Sequence, residues 1–153
     1  MKILATCTLA LVLLLSACGP SKPANLGYDP AAKPLYLVQA ARKDAANSGK
    51  RGVFVIAGGE WCRWCHVLDR FLSDNDDVKK AMEDSFVVVK VYAGEDDHND
   101  DFFARLPPAP GYPHFWVIDN AGNVRSIGTE SLESGDDDYD KGRFLDMLRT
   151  VSQ

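Results

Sequence analysis

The run Glu60-Trp61-Cys62-Arg63-Trp64-Cys65-His66 sets two cysteines three residues apart, between two segments of opposite character. Upstream, residues 53–57 are apolar on both faces, the pattern of a strand in the middle of a sheet. Downstream, Leu68, Phe71 and Leu72 recur on one face of a helix. Gly58-Gly59-Glu60 between them reads as an exposed strand-to-helix turn. Cys62 is therefore expected at a helix N-terminus, where unpaired backbone N–H groups and the helix dipole favour an anion and stabilise a thiolate. The chemistry implied is thiol-disulfide exchange. Cys62, exposed, is the attacking nucleophile, and Cys65, one turn later and more buried, resolves the mixed disulfide.

Other readings of the same letters stand beside it. Cys62, Cys65 and His66 also match the attachment pattern of c-type haem, with His66 as axial ligand. Such a domain is usually helical, and strand-like runs at 53–57, 86–92 and 115–118 speak against it. A structural zinc site needs about four protein ligands, and one Cys pair with one adjacent His supplies too few. In the acidic run 136–140, Asp136, Asp138 and Asp140 alternate as in a calcium loop. Lys141, however, stands where its Gly is needed and Met147 where its bidentate Glu would be. That run and the one at 95–101 read as solvated loops, and neither a metal nor a cofactor is expected. A pair of inert core cysteines is the plainest alternative, against which the exposed turn before Cys62 counts.

The chain opens with one basic side chain, Lys2, and an apolar stretch over residues 3–15. That stretch is too short to span a bilayer and has the form of a secretory signal. It ends in Leu15-Ser16-Ala17-Cys18, which resembles the lipobox of bacterial lipoproteins, in which cleavage precedes the Cys and that Cys becomes lipidated. The resemblance implies a signal over 1–17 that takes Cys7 with it, and a lipid on Cys18. Cys62 and Cys65 are then left as an isolated pair in a compartment where disulfides persist. Gly19, where an inner-membrane retention signal often has Asp, leans the expected location to the periplasmic side of the outer membrane. Residues 18–33 are rich in Pro, Gly, Ala and Ser and read as a flexible tether of roughly 20 Å. Residues 34–153 have the size of one domain. A formal net charge of -5 argues against nucleic acid and against direct adhesion to anionic lipid.

Along that domain a helix is expected from Pro34 through Leu37, Val38, Ala41 and Ala45, with Gly49 as its stop. Asp74 or Asn75 caps a second helical stretch through Val78, Ala81 and Met82 after the cysteine helix, and a strand follows at 86–92. A helix covers part of 100–106. Strands at 115–118 and 124–127 flank Asp119-Asn120-Ala121-Gly122-Asn123 as a hairpin, and Phe144, Leu145, Leu148 and Val151 make a last amphipathic helix. The order calls for an α/β fold, one central mixed sheet with helices on both faces.

From about Leu35 onward, this order and a Trp-Cys-x-x-Cys at the strand-to-helix junction resemble the thioredoxin-like superfamily, a three-layer sandwich. Gly111-Tyr112-Pro113 looks like its cis-proline loop, and Cys62-Arg63-Trp64-Cys65-His66-Val67-Leu68 is similar to members with a Cys-x-Trp-Cys-His-Val-Met motif. The resemblance implies protein thiols or disulfides as substrates, and a membrane or extracytoplasmic redox partner. Trp61 and Trp64 would shield the dithiol and offer apolar surface to a partner, Trp64 being the one normally exposed in this fold. A cis Pro113 would present the Tyr112 backbone to an extended substrate. Arg63, beside the nucleophile, would favour its thiolate and a potential less negative than the ~-270 mV of thioredoxin. Thioredoxin carries a buried Asp where this chain has Ile56. His66 or His114, both expected near the dithiol, would have to accept the proton that Ile56 cannot. Lys90 matches a lysine near the thioredoxin site, and reads equally as an edge charge. The first strand of the thioredoxin fold has no clear counterpart upstream of Pro34. A lipoprotein that uses this scaffold only to bind a partner remains a third function.

Overall fold

The computed structural model describes residues 27–94 and 99–153. The expected signal, Cys7, Cys18 and the tether as far as residue 26 lie outside those residues, as do residues 95–98 of the first acidic run.

Helix α1 (Pro34–Asn47) starts at its proline with no side-chain cap on Lys33, and buries Val38, Ala41 and Ala45. A cap contributes about 1 kcal/mol and a buried Val roughly 1.5 kcal/mol or more, so packing against the sheet fixes this helix. Gly49, at φ +71°, lets the chain turn away from it. Strand β1 (Gly52–Gly58) is buried at every position, as its unbroken apolar run requires. It lies parallel to β2 (Phe86–Tyr92) and antiparallel to β3 (His114–Asp119), with β4 (Val124–Gly128) outside β3, giving the order β2-β1-β3-β4. The β3–β4 turn is closed by Asp119, whose carboxylate accepts from the backbone and side-chain amides of Asn123.

Alternation along the strands divides the core. Phe54, Ile56, Phe115 and Val117 face α2 (Arg63–Asp74), α3 (Asp76–Ser85) and α5 (Lys141–Val151), meeting Leu68, Phe71, Val78, Met82, Phe144 and Leu148. Val53, Val55, Ala57, Trp116 and Ile118 face the opposite side, with Val38 and Ala41 of α1 and Phe102 of the short α4 (Asp100–Phe103). The result is the expected α/β sandwich with helices on both faces of one mixed sheet.

Three expectations are corrected here. The segment read as tether through residue 33 is not all tether, because Tyr28 is buried in the core under β1 and α2. The acidic run 136–140 is not simply a solvated loop. Glu133–Ser134 (β5) and Asp138–Tyr139 (β6) pair around Gly135, Tyr139 is buried, and Asp140 caps α5 by accepting from Arg143 N. Two-residue strands are too short to show periodicity, and burial of Tyr139 against Phe71 and Phe144 outweighs the acidity around it. Asn75 does precede α3, but its amide donates to Phe71 O instead of capping the new helix, which carries Asp76 and Asp77 in its first turn.

Candidate active site

Cys62 and Cys65 are joined as a disulfide, their Cα atoms 5.2 Å apart. The turn that ends β1 closes with Cys62 N donating to Gly59 O, and Cys62 then stands as N-cap of α2. Its sulfur accepts the Cys65 backbone N–H at 3.1 Å. A helix end that aims N–H groups at a sulfur favours negative charge there. The expected exposure of Cys62 is corrected: it is 4% exposed and Cys65 1%, because the turn tucks both sulfurs into the core on the α2 side of the sheet.

Around the dithiol, the exposure expected of Trp64 falls to Trp61. Trp61 is the exposed one, at 57%, held by a bond from its Nε1 to Ala93 O and by edge contact with Tyr112. Trp64 is half-buried, because β6 brings Tyr139 edge-on to its ring. The Tyr112-Pro113 peptide is cis, and Pro113 O accepts from the buried Thr129 hydroxyl. Burial, and secondarily the Asp100 charge, raise the Tyr112 phenol above its ordinary pKa.

His114 does not share the dithiol's face. It alternates with Phe115, so its ring lies against Trp116 on the α1 side of the sheet, 2% exposed, with Nε2 on Ser126 Oγ at 2.7 Å. Burial lowers its pKa, offset in part by Glu130. His66 is exposed, and its Nε2 donates to Glu60 O at 2.7 Å. Arg63 turns outward, donating to Asp136 O and lying 6.0 Å from the Trp64 ring centroid. Its cation thus braces the β5–β6 hairpin besides standing next to Cys62, and Arg70 does the same through Asp137 O.

Beneath the sulfurs, Ile56 is buried as expected and pairs across the sheet with Lys90. Lys90 forms an ion pair with Asp69 and lies over the Tyr28 ring, 4.7 Å from its centroid. Asp69 and Tyr28 belong to this site although the motif around the cysteines does not single them out. Asp69 follows Cys65 by four residues on one helix, a spacing that already puts the two on one face. Tyr28 gave only the weak signal of an aromatic residue in a Pro- and Ala-rich stretch. Among the described residues, no three His, Cys, Asp or Glu side chains gather where they could hold a metal ion.

A family model described as thioredoxin-like matches residues 36–120. In structure, the chain is similar to a disulphide isomerase from Xylella fastidiosa Temecula1, at TM-score 0.69 and 23% identity over 84% of this chain and 98% of that one. It is also similar to a thioredoxin from Thermus thermophilus, at TM-score 0.51 and 26% identity over 74% of this chain and 82% of that one. An uncharacterized protein of Caenorhabditis elegans is 33% identical over 46 residues, 30% of this chain, which spans 6% of that relative's length.

Proposed function

We propose, from the premise that this chain belongs to the thioredoxin-like family, that it is a thiol-disulfide oxidoreductase acting on protein thiols or disulfides. The observation that carries the proposal is the Cys62–Cys65 pair, bonded across the first turn of α2 with an N–H aimed at the Cys62 sulfur. Cys62 takes the nucleophile's role, since it alone sits at the helix N-terminus. Cys65 resolves the mixed disulfide. The rim offers a partner the exposed indole of Trp61, the Tyr112 ring beside it, and the backbone before the cis Pro113. Arg63 and Trp64 support the first turn of the helix, and His66, bonded to Glu60 O, is the exposed imidazole nearest the dithiol in sequence.

The same proposal puts the enzyme outside the cytoplasm, tethered through lipid on Cys18 on the periplasmic side of the outer membrane, with a membrane or extracytoplasmic partner restoring its redox state. Its support is Leu15-Ser16-Ala17-Cys18 after an apolar stretch, followed by Gly19. Substrate trapping tests the function. Cys65→Ser should accumulate disulfide-linked proteins in cells, and Cys62→Ser should not. Capture by Cys62→Ser instead would reverse the two roles. A Cys62→Ala variant with full biological activity would point to a scaffold that only binds, and a Soret band in the purified protein to haem on the same cysteines.

A further inference from the structure

Among the described residues, one buried polar group beneath the disulfide has no partner. Tyr28 is 6% exposed, and among the described residues its hydroxyl meets neither donor nor acceptor. A Cβ built on Gly58 would overlap the Cys65 sulfur and meet the Tyr28 Cζ and hydroxyl at 3.2 Å, so sulfur and hydroxyl border the same glycine-sized space. The ring is braced from its face by the Lys90 ammonium, which Asp69 holds in turn. A buried hydroxyl without a partner is costly, which calls for an explanation in another state of the molecule. We infer that Tyr28 is a positioning residue for Cys65, its hydroxyl donating a hydrogen bond to the Cys65 sulfur once the disulfide is reduced. The inference rests on the dithiol cycling between its two redox states, as the proposed function requires.

In the reducing direction the Cys62 thiolate attacks a substrate disulfide R–S–S–R′, forming Cys62–S–S–R and releasing R′–S⁻. Cys65–SH then loses its proton to water, and its thiolate attacks the Cys62 sulfur. The Cys62–Cys65 bond forms and R–S⁻ leaves, so two electrons pass to the substrate. Tyr28 keeps its own proton throughout and points it at the sulfur on which charge appears. The groups facing the phenol are Lys90 and Asp69, Tyr139 and Glu60. Burial first, then the Asp69 charge, push the phenol far above its ordinary pKa, so it serves as a donor and not as a base. In the disulfide the sulfur carries no such charge, and among the described residues the hydroxyl makes no bond to it.

The test compares wild type with Tyr28→Phe, which keeps the ring over which Lys90 lies. Equilibration with glutathione should shift about fivefold toward the disulfide in the variant, a potential roughly 20 mV more negative. Thermal unfolding gives an independent reading of the same cycle. Oxidised Tyr28→Phe should melt at the wild-type temperature or above, having lost an unpaired hydroxyl, and reduced Tyr28→Phe below it. Equal potentials, or equal losses in both redox forms, would overturn the inference. Glutathione reads the potential even where Cys65→Ser captures no protein, which keeps failure of this inference distinct from failure of the proposed function.

Discussion

At the scale of single residues, one step along the chain changes the chemistry available to a side chain. Pro113 lies on the rim of the dithiol, yet His114 beside it is turned through the sheet onto Trp116 and Ser126. Its ring is buried and its pKa lies below the ordinary value of 6.5, with burial as the main cause and Glu130 opposing. A histidine so depressed binds fewer protons in the folded chain than in the unfolded one. Stability should therefore fall as pH drops below about 6.5, with a slope of at most ~1.4 kcal/mol per pH unit for one proton. The lowered carboxyl pKa values of Asp77 and Asp119 act in a separate, more acidic window near pH 4 and below. Urea unfolding at pH 7.5 and 5.5 checks this. Wild type should lose more stability between the two than His114→Gln, and parallel losses would show that His114 is not the group titrating.

At the scale of elements, the β5–β6 hairpin and α5 pack against α2 through Tyr139 and Phe144. Arg63 and Arg70 grip the hairpin's carbonyls, Tyr139 meets Trp64 and Phe71, and Asp140 closes the hairpin and opens α5. Asp140→Ala removes an N-cap and should cost about 1 kcal/mol, with Asp140→Asn recovering most of it in chemical unfolding. The elements that position the dithiol were legible because their signals are long. Five apolar residues at 53–57 announce β1, a run at 86–92 broken by Lys90 announces β2, and recurring Leu and Phe announce α2 and α5. The hairpin was not legible, because two paired residues per strand carry no period and their neighbours are acidic. At the site the cysteines, their helix and the cis proline could be read in advance. The burial of Cys62, the partial burial of Trp64, the facing of His114 and the presence of Tyr28 depend on contacts between segments far apart in sequence, which local patterns do not encode.

At the scale of the whole molecule, surface charge and anchor have to be weighed against each other. The formal net charge is -5, and cleavage before Cys18 would remove Lys2 and leave the chain one unit more negative. Such a surface is repelled by anionic lipid, and the repulsion fades beyond a Debye length of about 8 Å at physiological salt. The folded part therefore adds no electrostatic attraction to a membrane, and in the proposed arrangement stable attachment comes from lipid on Cys18. One acyl chain holds only marginally, with a binding constant of about 10⁴ M⁻¹, whereas two or more give lasting attachment. Cys18→Ala should thus leave the protein unprocessed or release it from the membrane fraction to the soluble one. The dithiol should keep its in vitro redox activity, because Cys62 and Cys65 sit in a core built from described residues at Tyr28 and beyond. Fractionation, with mass spectrometry of the N-terminus, reads the outcome. Wild-type protein that is soluble, with Cys18 unmodified, would remove the anchor and with it the argument for a membrane-bound redox partner.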